Sequence, residues 1–239
     1  MKIKNLLRIV VFGHRGTSRT YIKYLRKKGV SIGKGCEIFR PLITMIDDQN
    51  PHLLSIGNYV QMTGPVTILT HDYSWSVLKR KYGYIYGHQQ KTSIGNNIFI
   101  GWGATILAGS VIGDNVIIGA NSVVSGKIEA NSVYAGVPAK KIMTLKEYKE
   151  KRNSRQLEEA LSYIDNYKKV RGVLPKEEKL DEYFFLFKHY LKKDDKKFKK
   201  KIQLMGNEKY SLSILETHKS LFRDYDDFLK YYKNKNNLI

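Results

Sequence analysis

From Ile94 onward every sixth residue is aliphatic, through Ile100, Ile106, Ile112, Ile118 and Val124, and glycine follows directly at Gly95, Gly101, Gly113 and Gly119. A helix repeats every 3.6 residues and a strand every two, so this period belongs to one structural unit stacked again and again. Each aliphatic side chain is expected to point into a narrow prism and lie on its counterpart one coil further on. Ile98, Ala104, Ser110, Val116, Ser122 and Ile128, four places later, fill the remaining interior. Between faces the chain must turn sharply. Gly95, Asn96, Asn97, Asp114, Asn115 and Asn121 are residue types that take positive φ at low cost and mark those corners.

Two weaker patches precede this run. Ile32-Gly33 with Ile38 is one; Ile56-Gly57, Met62 and Ile68, with Val60 and Val66 at the interior offset, is the other. Two interruptions break the phase. The first, around Asp47 to Leu54, contains Asp47, Asp48, Pro51 and His52; the second runs from His71 to about Ser93. A solenoid that suspends its stacking for a long polar and aromatic loop usually uses that loop.

The flanks have a different texture. Residues 1–29 read as a basic helical segment in which Tyr21 to Lys28 ends at Gly29 and feeds the first coil. The repeats occupy residues 30–142, with the insertion at about 71–93. After Ile142 the six-residue rule vanishes, and residues 143–239 read as a helical domain. Its apolar residues recur at helical spacing: Leu157, Leu161, Ile164 and Tyr167; Leu180, Tyr183, Phe184, Phe187 and Leu191; and Leu215, Phe222, Tyr225, Phe228, Leu229 and Tyr232. Gly172, Pro175 and Gly206-Asn207 punctuate it. The aromatic stripes are expected to be core.

The chain has 239 residues, 42% of them hydrophobic, enough for one good core and an appendage. Cys36 is the only cysteine, which excludes an intrachain disulfide and a thiolate metal cluster. The opening MKIKNLLRIVVFGHRG lacks the apolar core and cleavage site of an export signal, and no apolar run is long enough to span a bilayer. A reducing cytoplasm is the expected location. Net charge is +20, but the excess is spread along the chain, and no helix-turn-helix, zinc-finger or RNA-binding sheet signature accompanies it. Nucleic acid is therefore not the expected partner; anionic headgroups or an acidic saccharide suit the charge at least as well.

The segment IGNNIFIGWGATILAGSVIGDNVIIGANSVVSGKI, from Ile94 to Ile128, resembles the hexapeptide-repeat acyltransferases, in the branch that acetylates sugars and xenobiotics. The resemblance implies a β fold with α additions: a left-handed parallel β-helix followed by an α-helical C-terminal domain. It implies transfer of an acetyl group from acetyl-CoA to a hydroxyl in a direct ternary complex, no required metal, and a homotrimer. An acceptor in surface polysaccharide synthesis would further imply peripheral association with membrane-bound machinery.

Within Ile68-Leu69-Thr70-His71-Asp72-Tyr73-Ser74-Trp75, His71 looks like the family's catalytic histidine. Attack of a hydroxyl on a thioester needs a base near neutral pH, and imidazole supplies one. Asp72 is expected to bind a sugar hydroxyl, since neighbours on an extended chain point to opposite faces. Tyr73 and Trp75 offer flat faces for a pyranose. His88 and His52 are runners-up as substrate contacts, and Asp47 resembles an acceptor-contacting carboxylate of the sugar branch.

For the donor, Gly101, Trp102, Gly103, Ala120, Ser125 and Gly126 match positions in the family's coenzyme A groove. Ala-Gly-Val-Pro-Ala-Lys, ending at Lys140, resembles the loop that closes the prism. Lys140 and Lys141 are expected at a coenzyme phosphate, although Met143 stands where some sugar acetyltransferases have a further basic residue. The alternatives are a streptogramin- or chloramphenicol-type acetyltransferase and a non-catalytic scaffold. A zinc-dependent relative on this fold needs convergent histidines, which His71 and His88 do not supply.

Overall fold

A computed structural model describes residues 3–236. The chain divides into two compact units between Lys149 and Glu150. The first opens with helices α1 (Ile3–Phe12) and α2 (Ser18–Lys28). A reciprocal capping box between Thr17 and Thr20 starts α2, and Gly29, at φ 108°, ends it by donating to the carbonyls of Leu25 and Arg26.

The prism follows. Three parallel sheets form its faces, and successive coils contribute one strand to each sheet in turn. On the first face Ile32, Ile56, Ile94, Ile112 and Ile128 stand in register; on the second, Ile38, Met62, Ile100, Ile118 and Tyr134; on the third, Ile46, Ile68, Ile106 and Val124. The six-residue period is thus one face, and a complete coil advances 18 residues, as between the paired side chains of Asn96 and Asp114. Ile98, Ala104, Ser110, Val116, Ser122 and Ile128 are all buried, and the Ser110 hydroxyl is satisfied by the Leu107 carbonyl at 2.6 Å. Burial of each large aliphatic side chain in such a column is worth about 1.5–3 kcal/mol.

Two kinds of corner appear, which corrects the uniform expectation of positive φ. Asn97, Asn115, Asn121 and Asn131 do take φ of 54–58°. Asn97, Asn115 and Asn131 also form a ladder of side-chain amide bonds, each 2.9 Å. Gly95, Asn96 and Asp114 do not take positive φ. Gly95 is needed for closeness instead: a Cβ there would lie 2.8 Å from the Gly113 carbonyl carbon and 2.5 Å from Asp114 Oδ1. Gly57, one coil earlier, would meet Gly95 in the same way. Gly95→Ala is therefore expected to lower stability by about 1–3 kcal/mol, the usual cost of overpacking, read as a lower thermal midpoint. An unchanged midpoint would mean that this corner opens freely.

The two interruptions lengthen their coils. Asn58 pairs with Asn96 across 38 residues of sequence, and the Lys34 N–H meets the Asn58 side chain across 24. The longer insertion is more ordered than the loop expected of it. Strands His71–Asp72 and His88–Gln89 pair antiparallel, and helix α3 (Trp75–Tyr82) lies between them. The prism ends where strand Lys140–Thr144 turns back antiparallel on Ser132–Ala135.

Helix α4 spans Leu145–Arg171, and Gly172 follows it at φ 71°. The second unit continues through α5 (Lys196–Gln203), α6 (Glu208–Thr217) and α7 (Tyr225–Lys235). Its core gathers Leu161, Ile164, Leu180, Phe184, Phe187, Phe198, Leu215, Phe228 and Tyr232. The stripe Leu180 to Leu191 does not form the helix its spacing suggested. Short 3-10 turns at Glu177–Lys179 and Phe184–Leu186 carry it, and turns of that pitch also bring residues three apart to one side.

Candidate active site

The site grows from the end of one coil. Alternation along the strand puts Ile68 and Thr70 inside the prism, both fully buried, and turns His71 outward. The neighbouring coil runs in register, Ile46 beside Ile68, so the residue after Ile46 arrives next to Thr70 and His71. That residue is Asp47. Its backbone N–H donates to the Ile68 carbonyl at 2.9 Å, and its side chain is only 4% exposed.

Asp47 Oδ2 accepts from the Thr70 N–H at 3.0 Å and from the Thr70 hydroxyl at 2.6 Å, and it lies 2.6 Å from His71 Nδ1. Oδ1 accepts from the Gln49 N–H at 3.1 Å. Burial alone pushes the pKa of this carboxyl up. The donors from Thr70, Gln49 and His71 outweigh it and hold Asp47 below the ordinary carboxylate range. An ionised carboxylate only accepts hydrogen bonds, so a neutral His71 carries its proton on Nδ1 and keeps the Nε2 lone pair free. Nε2 has no hydrogen-bond partner among the described residues. The His71 side chain is 12% exposed.

His71 opens on a cavity of about 380 Å³ lined by Gln49, Asn50, Asp72, Tyr73, Trp75, Gly87, His88 and Gln89. Tyr73 meets the imidazole edge-on, with centroids 5.4 Å apart, and Trp75 follows at 5.7 Å from Tyr73. Opposite them, Asp72 Oδ2 lies 2.5 Å from His88 Nδ1 across the hairpin, and Asp72 Oδ1 accepts from the Ser74 N–H. The His88 and Ser74 bonds pull the Asp72 carboxyl far below its ordinary range. Both members of this pair are more than 40% exposed at the side chain.

Two sequence expectations shift here. Asp47 was expected at the acceptor, yet its carboxylate is turned to Thr70 and His71 and it does not line the cavity. Asp72 does avoid His71, as strand alternation requires, but one of its oxygens is engaged with His88 and the other with the Ser74 N–H rather than left wholly for a sugar. Thr70, Gln49, Asn50 and Gln89 were not singled out. Thr70 was recoverable, since its two-residue offset from Ile68 puts its side chain on the prism's interior face directly before His71.

The residues expected along the donor lie elsewhere on the prism, and none of them lines the His71 cavity of a single chain. Gly101 is required by the stack itself, because a Cβ there would come 2.6 Å from the Ala120 nitrogen. Trp102 is 46% exposed beneath the Arg40 guanidinium, 5.6 Å away. Gly103 and Gly126 take φ of 77° and 71°, while Ala120, Ser125 and Lys140 are exposed. Lys141 is engaged with Glu129 at 2.5 Å, and that bond draws the glutamate down and the lysine up. No group of three or more potential metal ligands occurs among the described residues.

Residues 91–126 match the model of the bacterial transferase hexapeptide family, six repeats. Protein CapG of Staphylococcus aureus is 39% identical over 127 residues, which cover 53% of this chain and 73% of CapG. The chain belongs to the bacterial hexapeptide-repeat transferases. The galactoside O-acetyltransferase of Escherichia coli (strain K12) is 37% identical to this transferase over 100 residues, covering 42% of the chain and 47% of the relative. A solved galactoside acetyltransferase in complex with coenzyme A is similar at a TM-score of 0.43 and 20% identity, over 61% of this transferase and 84% of that chain. The match to CapG extends beyond the repeats counted by the family model, and the transferase spans under half of the galactoside enzyme's length.

Proposed function

We propose that this transferase moves the acetyl group of acetyl-CoA to a hydroxyl of a saccharide, in the synthesis of a surface polysaccharide, with His71 as general base. The observation that carries the reading is the buried Asp47 carboxylate on His71 Nδ1, which leaves Nε2 facing an aromatic-walled cavity. The acceptor hydroxyl enters that cavity. Its oxygen attacks the thioester carbonyl carbon as its proton passes to Nε2; the C–S bond then breaks, and the departing sulfur takes the proton back from the imidazolium. Asp47 balances the charge on the imidazolium while it exists. Tyr73 and Trp75 supply apolar faces for a sugar ring, and the Asp72–His88 pair supplies polar edges. The name of the galactoside relative supports a sugar as acceptor and acetyl as the group moved.

The donor is assigned to the late coils and the prism-closing loop, where Lys140 meets a phosphate of coenzyme A. Because none of those residues lines the His71 cavity of one chain, the reading includes a homotrimer in which a neighbouring copy supplies the donor wall. Lys140→Ala is expected to raise the Kd for coenzyme A about three- to tenfold, the scale of one exposed charge-assisted phosphate contact. Turnover at saturating donor should hardly change. Calorimetric titration with coenzyme A reads the first quantity, and equal affinity would move the phosphate to another residue.

The function is tested by following free thiol release from acetyl-CoA with a panel of acceptors. Sugar hydroxyl acceptors should accelerate release well above hydrolysis. Preference for chloramphenicol or a streptogramin would replace the saccharide with a xenobiotic, and no acceleration by any acceptor would leave a scaffold.

A further inference from the structure

Helix α1 is amphipathic the wrong way round. Ile3, Leu6, Leu7, Val10 and Val11 recur at the spacing that places them on one face. In a globular protein such a face turns to the core, but these residues are 79%, 51%, 60%, 76% and 69% exposed. The opposite side is the one that faces protein: Arg8 and Ile9 are half-buried against Gly16, and Asn5 and Arg8 border a small cleft with Gly16, Thr17 and Ser18. Gly16 fixes that orientation, since its Cα lies so close to α1 that a Cβ would fall 2.5 Å from the Arg8 carbonyl oxygen. An aliphatic face of this size is too apolar to be left in water.

The charge around the stripe says what covers it. The first 36 residues contain ten lysines and arginines and no acidic residue. Arg19, Lys23, Arg26 and Lys34 are exposed and border a second cleft beside α2. A second copy of the chain would bring the same excess of positive charge against this surface. Nucleic acid would satisfy the charge but offers nothing to a row of aliphatic side chains. An anionic lipid surface satisfies both, with acyl chains for the stripe and headgroups for the cations. Ten residues span about 15 Å, half of a hydrocarbon core, so such a helix lies in the interface. Among the described residues no helix is long and apolar enough to cross a membrane.

We infer that α1 docks this transferase on an anionic membrane surface, the Ile3-Leu7-Val10-Val11 stripe entering the headgroup boundary and the basic surface around α2 lying over it. This does not depend on the acetyl-transfer reading. It is tested with the full chain by cosedimentation with vesicles of phosphatidylcholine, alone or mixed equally with phosphatidylglycerol. Binding should be about tenfold or more tighter to the anionic vesicles and weaken as salt is raised. The double variant Leu7→Asp, Val10→Asp should lose about tenfold or more of that affinity while keeping its thermal midpoint and solution mass. In a separate Leu7→Trp variant, the new indole should shift its emission to the blue only with anionic vesicles. Failure to bind them, undiminished binding by the double variant, or an indole that stays in water would each overturn the inference. So would a fall in solution mass on introducing the aspartates, because the stripe would then be an interface between copies.

Discussion

Replacing His71 with alanine is expected to lower turnover by about 10²- to 10⁴-fold, the usual contribution of a positioned general base. The Kd for acetyl-CoA should change little, because no donor residue shares the His71 cavity within a chain. Loss of the proposed proton acceptor would remove assistance in the transition state only, so kcat and kcat/KM for the acceptor should fall together. The side chain is 12% exposed and lies outside the prism columns, so the thermal midpoint is expected to stay close to that of the parent. Its removal does leave the Asp47 carboxylate without one of its donors, but both Thr70 bonds remain. A His71→Gln variant keeps a donor toward Asp47 and still lacks the base; it should be as inactive as the alanine variant. Turnover near the parent's in either variant would place the base on another residue.

The prism was legible because its columns impose a rule on sequence. Ile94, Ile100 and Ile106 each serve a different face, and the next coil repeats the demand with Ile112, Ile118 and Val124. The reason for each glycine was not legible in the same way. Gly95 and Asn97 both read as corner residues, yet one is required by a neighbouring backbone and the other by its own φ. Only the stacked coils distinguish the two. Helical spacing around Phe184 and Phe187 misled for a related reason: consecutive short turns produce the same recurrence as a helix when the core they face is aromatic.

The candidate site was half legible. His71 stood out because it ends a coil and opens an interruption, and the structure does put it on the wall of a cavity. Its partner did not stand out. Asp47 lies 24 residues away, and the first interruption hides the coil count that brings the two together. Registering Ile46 against Ile68 resolves it, since the residues that follow each aliphatic in the third face must then be neighbours. The Asp72–His88 pair was beyond a local reading, because it depends on a hairpin that has no repeat to predict it.

That hidden register makes Asp47 the second position where a single atom matters. Asp47→Asn is expected to reduce kcat by about 10²- to 10³-fold, with little change in the KM for acetyl-CoA. The amide keeps the volume and can still accept from Thr70, but it cannot carry the charge that balances the imidazolium during transfer. Nor does it hold the proton on Nδ1 as firmly, so Nε2 is less often the free base. A merely structural role would act on folding instead, and the two are separable by pH. The Asp47 carboxyl is held below its ordinary range, so its charged contacts contribute to folding above the unfolded carboxylate value, about pH 4. That contribution is lost as pH falls through the lowered native value. The asparagine variant lacks it at every pH, so the stability gap between parent and variant should narrow on acidification, while the deficit in kcat persists at neutral pH. A gap that stays constant into acid would show that the carboxylate is not the charged partner of Thr70 and His71, and a variant with parental kcat would show that His71 works without it.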